Sequence, residues 1–91
     1  MHKNRLHIEP SDVIINPFSR GYEIRVEMVN SAELCEKCIA LEETFMCNYH
    51  LILDVSDFDY AGFLLMVLRN FNEYKEAEIQ QLIANEINNL I

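Results

Sequence analysis

Residues 56–71, which read SDFDYAGFLLMVLRNF, form the most apolar stretch of the chain and decide how the rest can pack. No charged residue occurs between positions 60 and 68. Ser56 or Asp57 can cap a helix, and an aspartate suits the positive end of the helix dipole. Apolar residues then recur at helical spacing on nearly every side. The stretch therefore predicts a helix at about 57–71, and a run this short is well below the ~20 apolar residues that cross a bilayer.

A helix that is apolar on all sides needs cover from the core or from a partner. The stripe that contains Phe58, Leu65 and Leu68 is the most central one, which predicts that Leu65 is buried. The alternative is that this helix is partly exposed and forms a binding or dimer surface.

The remaining segments predict three strands and two more helices around this element. Residues 22–28 alternate strictly between apolar and charged side chains, which is typical of a strand with one face on the core and one in water. The other predicted strands lie at about 12–16 and 49–56, and the other helices at about 32–46 and 76–91. We therefore expect one α+β domain over residues 1–91, with a short, mostly antiparallel sheet of about three strands packed against about three helices. Residues 1–11 read as an extended or poorly ordered entry segment.

The charge of the chain indicates the class of partner. Fifteen acidic residues against seven basic ones give a formal net charge of −8. Such a surface repels phosphate groups, which disfavours direct binding to nucleic acid or to an anionic membrane. It suits a protein partner with a basic surface, although ordinary solubility would also explain it.

Six acidic residues are the candidate partner-binding side chains. Four are expected on the polar side of the 32–46 helix and two at the start of the 57–71 helix: Glu33, Glu36, Glu42, Glu43, Asp57 and Asp59. The hypothesis is a small protein that inhibits a nucleic-acid enzyme by occupying its basic surface. Phage antagonists of bacterial defence and immunity proteins share this size and charge, which is an analogy and not a motif match.

The sharpest motif is the cysteine–histidine pattern C-x2-C-x8-C-x2-H, formed by Cys35, Cys38, Cys47 and His50. Thiolates and imidazole are preferred zinc ligands, so the alternative hypothesis is a zinc-stabilised structural module in a larger assembly. The predicted 32–46 helix conflicts with this site, because nine residues of helix separate Cys38 from Cys47 by about 13 Å. The competing interpretation is that the cysteines pack as small apolar residues.

The sequence contains no recognisable catalytic motif. It lacks a nucleophile elbow, a phosphate-binding glycine-rich loop and a metalloprotease helix motif. We therefore expect a binding protein rather than an enzyme, with no cofactor. The first ten residues lack the apolar core of a signal peptide, so the expected location is the cytoplasm, and a homodimer is compatible with the apolar content.

Overall fold

The computed structural model describes residues 7–19, 21–27, 32–58, 63–69 and 74–90. Its strands are β1 (Val13–Phe18), β2 (Gly21–Glu27), β3 (Ile52–Phe58) and β4 (Phe63–Arg69). Its helices are α1 (Ala32–Ile39), α2 (Leu41–Tyr49) and α3 (Glu76–Leu90), and a short 3₁₀ turn at Pro10–Asp12 precedes β1. The α+β class is confirmed, but the sheet has four strands and the helices are distributed differently from the prediction.

All neighbouring strands are antiparallel, in the order β1-β2-β4-β3. Two hairpins, β1–β2 and β3–β4, therefore meet along β2 and β4. In the register, Val13 lies opposite Val26, and Val26 lies opposite Leu64. Every second residue of β1, β2 and β4 thus points to the same side, where the helices cover it. Strand β3 follows the same alternation as far as Val55, and its register shifts between Val55 and Phe58.

The helix predicted at 57–71 is wrong. Within the described residues, this stretch contains the end of β3 at Phe58 and the whole of β4, while residues 59–62 and 70–71 lie outside the described part. An apolar run of six residues fits a central strand as well as a helix, because such a strand has neighbours on both sides and packs one face against the core. Leu64 and Leu68 are fully buried on the helix side, whereas Leu65 is only partly buried on the opposite side, contrary to expectation.

The segment predicted as one helix at 32–46 contains two helices, and the second of them extends to Tyr49. The N–H of Ala40 donates to the carbonyl of Lys37, three residues back, at 3.1 Å, and this tighter turn separates α1 from α2. Ala40 keeps right-handed helical angles, with φ −63° and ψ −18°, so the two helices nearly continue one another. No glycine or proline occurs between 32 and 49 to mark the break in the sequence.

Helix α2 continues to Tyr49, a residue that the sequence placed in the third strand. The Phe45 and Tyr49 rings are four residues apart and meet edge to face, with centroids 5.2 Å apart, which stabilises the last turn. The Tyr49 hydroxyl also donates to Glu86 of α3 at 2.5 Å. His50 then adopts the left-handed region at φ 57° and ends the helix, so β3 begins only at Ile52.

The core lies between the helices and one face of the sheet. Its largest fully buried side chains include Phe45 of α2, Leu64 of β4 and Ile83 of α3. The predicted last helix is confirmed: α3 buries Ile79, Ile83 and Ile87. These buried positions are the reason that the helices stay on a single side of the sheet.

Asparagine and glutamine side chains attach the start of the described chain to α3. Asn88 accepts a hydrogen bond from the N–H of Ile8 at 2.7 Å and donates to its carbonyl at 2.8 Å. Gln80 donates to the carbonyl of Val13 at 2.8 Å. Ile8 is 2% exposed, so it belongs to the core.

Candidate protein-binding surfaces

The face of the sheet opposite the helices is here called the open face. It consists of the even-numbered residues of β1, the odd-numbered residues of β2 and β4, and Ile52, Asp54 and Ser56 of β3. None of its described side chains is buried. An antiparallel sheet can expose one face to water, but such a face normally carries polar residues.

Apolar side chains occupy much of this open face. Among the described residues, five large hydrophobic side chains are exposed, and three of them lie here: Ile14 at 42%, Phe18 at 42% and Ile52 at 36%. The partly buried side chains of β4 on the same face are also apolar: Phe63, Leu65 and Val67. The charged residues of β2 lie between the apolar side chains of β1 and those of β4. A face that combines exposed apolar side chains with charged ones in this way is typical of an interaction surface.

A shallow depression lies in the middle of the open face. Its volume is about 260 Å³, and Asn16, Glu23, Arg25, Ser56, Leu65 and Val67 are among its lining residues. Beside it, the Arg25 guanidinium stacks on the Phe63 ring, 4.5 Å from the centroid. The depression is smaller than typical pockets for small ligands, which begin at about 300 Å³, so the geometry suits contact with a broad surface better than capture of a ligand.

The charges on the open face nearly cancel. Its described side chains include the carboxylates of Glu23, Glu27 and Asp54 and the guanidinium groups of Arg25 and Arg69, so the formal charge of the described side chains is −1. The whole chain carries −8. The described side chains of the open face therefore account for little of this negative charge.

Helices α1 and α2 carry part of that excess on their solvent side. We call Glu33, Glu36, Ile39, Glu43 and Met46 the acidic helix surface, because all five are exposed and recur every three or four residues along a nearly continuous helical path. Ile39 is 48% exposed and Met46 is 46% exposed. Three carboxylates and two apolar side chains thus share one surface.

The other three predicted partner-binding residues are placed differently. Glu42 is partly buried, and its Oε2 accepts a hydrogen bond from the N–H of Val55 at 2.8 Å, so it attaches α2 to β3. Asp57 lies in β3 and does not begin a helix, and its side chain is not among those described. Asp59 lies outside the described residues.

Both edges of the sheet carry polar contacts. At the β3 edge, Glu42 binds the N–H of Val55, and the Cys35 thiol donates to the carbonyl of Ser56 at 3.7 Å. At the β1 edge, the Val13 carbonyl accepts from Gln80, so it points away from β2. Along an antiparallel strand, the backbone N–H and C=O groups of alternate residues point away from the neighbouring strand, so those of Pro17 point away from β2 as those of Val13 do. The N–H that proline lacks therefore costs no hydrogen bond between β1 and β2. Such features discourage edge-to-edge pairing.

The four residues of the cysteine–histidine motif do not come together in the structure. Cys38 is buried in the core, Cys35 is partly buried, and Cys47 and His50 are exposed. Within the described residues, which contain all four, no group of three or more histidine, cysteine or acidic side chains could hold a metal ion. Burial, together with nearby Cys35, raises the pKa of the Cys38 thiol to about 11. Cys38 thus packs as a small apolar residue, but the exposure of Cys47 contradicts that interpretation for the third cysteine.

The open face was missed at the sequence level because β4 was predicted to be a helix. Once residues 63–69 are assigned to a strand, their alternation separates Leu64, Met66 and Leu68 from Phe63, Leu65 and Val67. The charged odd-numbered residues of β2 were the available signal for a second, outward face.

Comparison of the chain with models of known protein families, with curated proteins and with solved structures found no match. None of the helices in the described ranges has the length and apolar character needed to span a membrane.

Proposed function

We propose that this chain acts by binding another protein, and that the acidic helix surface docks on a basic surface of that partner. The observation that carries the proposal is the exposure of Ile39, between Glu36 and Glu43, and of Met46, three residues beyond Glu43. Apolar side chains supply affinity when they are buried in an interface, whereas surrounding charges steer the encounter. The acidic helix surface offers both.

The most concrete form of this function is an inhibitor or immunity-type protein. Enzymes that act on nucleic acids need basic clefts to bind phosphate groups. A carboxylate-bearing helix surface that fits such a cleft competes with the nucleic acid for the same cations. The net charge of −8 would increase the rate of encounter with a basic partner and reduce direct contact with nucleic acid.

The test is a charge-neutralising variant measured against a purified partner. The partner is first isolated on immobilised wild-type chain, identified by mass spectrometry and purified, and association is then followed at nanomolar concentrations. We expect the triple change Glu33→Gln, Glu36→Gln and Glu43→Gln to slow association by about tenfold at low salt. Glutamine has nearly the helix propensity of glutamate, so the fold should not respond. Glu42 is excluded from this set because its carboxylate binds Val55.

A matched control separates the location of the charges from their number. The triple change Glu23→Gln, Glu27→Gln and Glu76→Gln removes the same three charges from exposed positions outside the acidic helix surface. We expect this variant to retain most of the wild-type association rate. Equal slowing by the two triples would show that only net charge matters, and no slowing by the first triple would reject the acidic helix surface as the interface.

A further inference from the structure

We infer that the open face binds the open face of a second copy of this chain, which gives a reversible two-fold dimer with the helices outside. The inference is independent of the acidic helix surface, which lies on the other side of the sheet. It accounts for the exposed Ile14, Phe18 and Ile52, which a permanent monomer would leave in water.

Charge is the first argument for a second copy as the occupant. Two chains of −8 repel one another, so they can meet only where the local charge is small. The described side chains of the open face have a formal charge of −1, and they present both signs: Glu23, Arg25 and Glu27 alternate along β2. A two-fold interface repeats every contact, so an Arg25 of one copy that approaches a carboxylate of the other does so twice.

The shape of the face is the second argument. Two sheets that pack face to face lie about 10 Å apart and interlock side chains from their facing surfaces. The open face supplies an apolar centre from β4, where Leu65 and Val67 are partly exposed. The polar contacts at Val13, Val55 and Ser56 disfavour the competing arrangement, in which two sheets join along an edge.

The size of the face predicts a weak dimer. Four strands at about 4.8 Å spacing and six residues at about 3.4 Å each give a footprint of about 400 Å². Protruding side chains make the accessible surface larger than this flat footprint, so two copies would bury about 1,000 Å² of accessible surface in total. This area is at the low end for specific interfaces. We therefore expect a dissociation constant in the range of about 10 µM to about 1 mM.

Single-stranded nucleic acid is the main competing occupant. Phe18 and Phe63 could stack on bases, and Arg25 and Arg69 could contact phosphates. Three carboxylates on the same face oppose this mode, as does the charge of the whole chain. A labelled oligothymidine that bound the wild-type chain at physiological salt, and lost binding in an Ile14→Glu variant, would overturn the dimer assignment.

The experiment is analytical ultracentrifugation of the full chain from about 1 µM to about 1 mM. We expect the mass to rise from one chain to two as concentration increases. Added salt should strengthen the dimer, because it screens the repulsion between two acidic chains. Added salt should instead slow association with a basic partner. The dimer inference and the proposed function can therefore be rejected independently of one another. A chain that stays monomeric over the whole range would overturn the inference.

Matched variants locate the contact. Ile14→Glu lies on the open face and Ile39→Glu lies on the acidic helix surface; both replace an isoleucine of similar exposure and add one negative charge. We expect Ile14→Glu to raise the dissociation constant about tenfold or more and Ile39→Glu to change it little. Thermal melting at low concentration confirms that both variants fold. Disruption by Ile39→Glu, with Ile14→Glu still dimeric, would place the contact on the helices and reject the open face.

Discussion

Gly21 is the residue at which the backbone of the sheet allows no side chain. It is buried at the start of β2, opposite Arg69 of β4. A Cβ atom at this position would lie 2.0 Å from the carbonyl oxygen of Leu68, which belongs to the backbone and cannot rotate away. The β2–β4 pairing joins the two hairpins, so a displacement here affects the centre of the sheet.

We expect Gly21→Ala to destabilise the fold by about 3 kcal/mol, since the strands must separate to admit a methyl group. Chemical denaturation followed by circular dichroism measures this change. Ser19→Ala, an exposed position just before β2, is the control and should stay within about 0.5 kcal/mol of the wild type. Equal stability of Gly21→Ala and the wild type would contradict the close approach of β2 and β4.

Single residues could be predicted from the sequence where one pattern fixed their environment. The strict alternation of β2 correctly placed Ile24 and Val26 in the core. Glu42 could not be distinguished from Glu43, because both are glutamates on a polar helix side and only the position of β3 makes Glu42 a backbone acceptor. Long-range contacts of this kind leave no trace in local spacing.

At the level of elements, the sequence predicted correctly the elements whose apolar residues recur with a clear helix or strand period. It failed on β4, which has no such period. The alternation of β2 and the stripe of α3 each predicted the right element. The run 63–69 is apolar at six consecutive positions, so neither period is visible in it. Its assignment to a strand depends on β2 and β3, which need a partner strand between them. In the sequence, β2 lies far from this run, whereas β3 lies only just before it.

Two neighbouring leucines of β4 test the strand assignment. Leu64 is fully buried, whereas Leu65 points to the open face and is partly exposed. We expect Leu64→Ala to lower the free energy of unfolding by about 2–5 kcal/mol and Leu65→Ala by about 1 kcal/mol. Denaturation at low micromolar concentration, where the proposed dimer would be dissociated, gives both values. A larger loss for Leu65→Ala would instead support the buried helix that the sequence indicated.

At the scale of the whole molecule, the helices and the open face lie on opposite sides of one sheet. If both proposals hold, this arrangement would let the chain hold two proteins at once, one on the acidic helix surface and one on the open face. Because the facing sheets of the proposed dimer leave both helix layers outside, the two acidic helix surfaces point away from one another. They could not contact neighbouring sites on one flat partner surface, so no gain from bivalency is expected there.

The stoichiometry with a basic partner therefore distinguishes the two surfaces. Above the dimer dissociation constant we expect a complex of two chains with two partner molecules, and the Ile14→Glu variant should give one chain with one partner under the same conditions. Light scattering coupled to size-exclusion chromatography measures both masses. The partner affinity per site should be nearly the same in the two cases, because Ile14 lies away from the acidic helix surface.

If the wild-type chain lost its dimer on binding and formed a one-to-one complex, the partner would be occupying the open face. The hydrophobic centre formed by Leu65 and Val67, rather than Ile39 and Met46, would then supply the affinity for the basic partner.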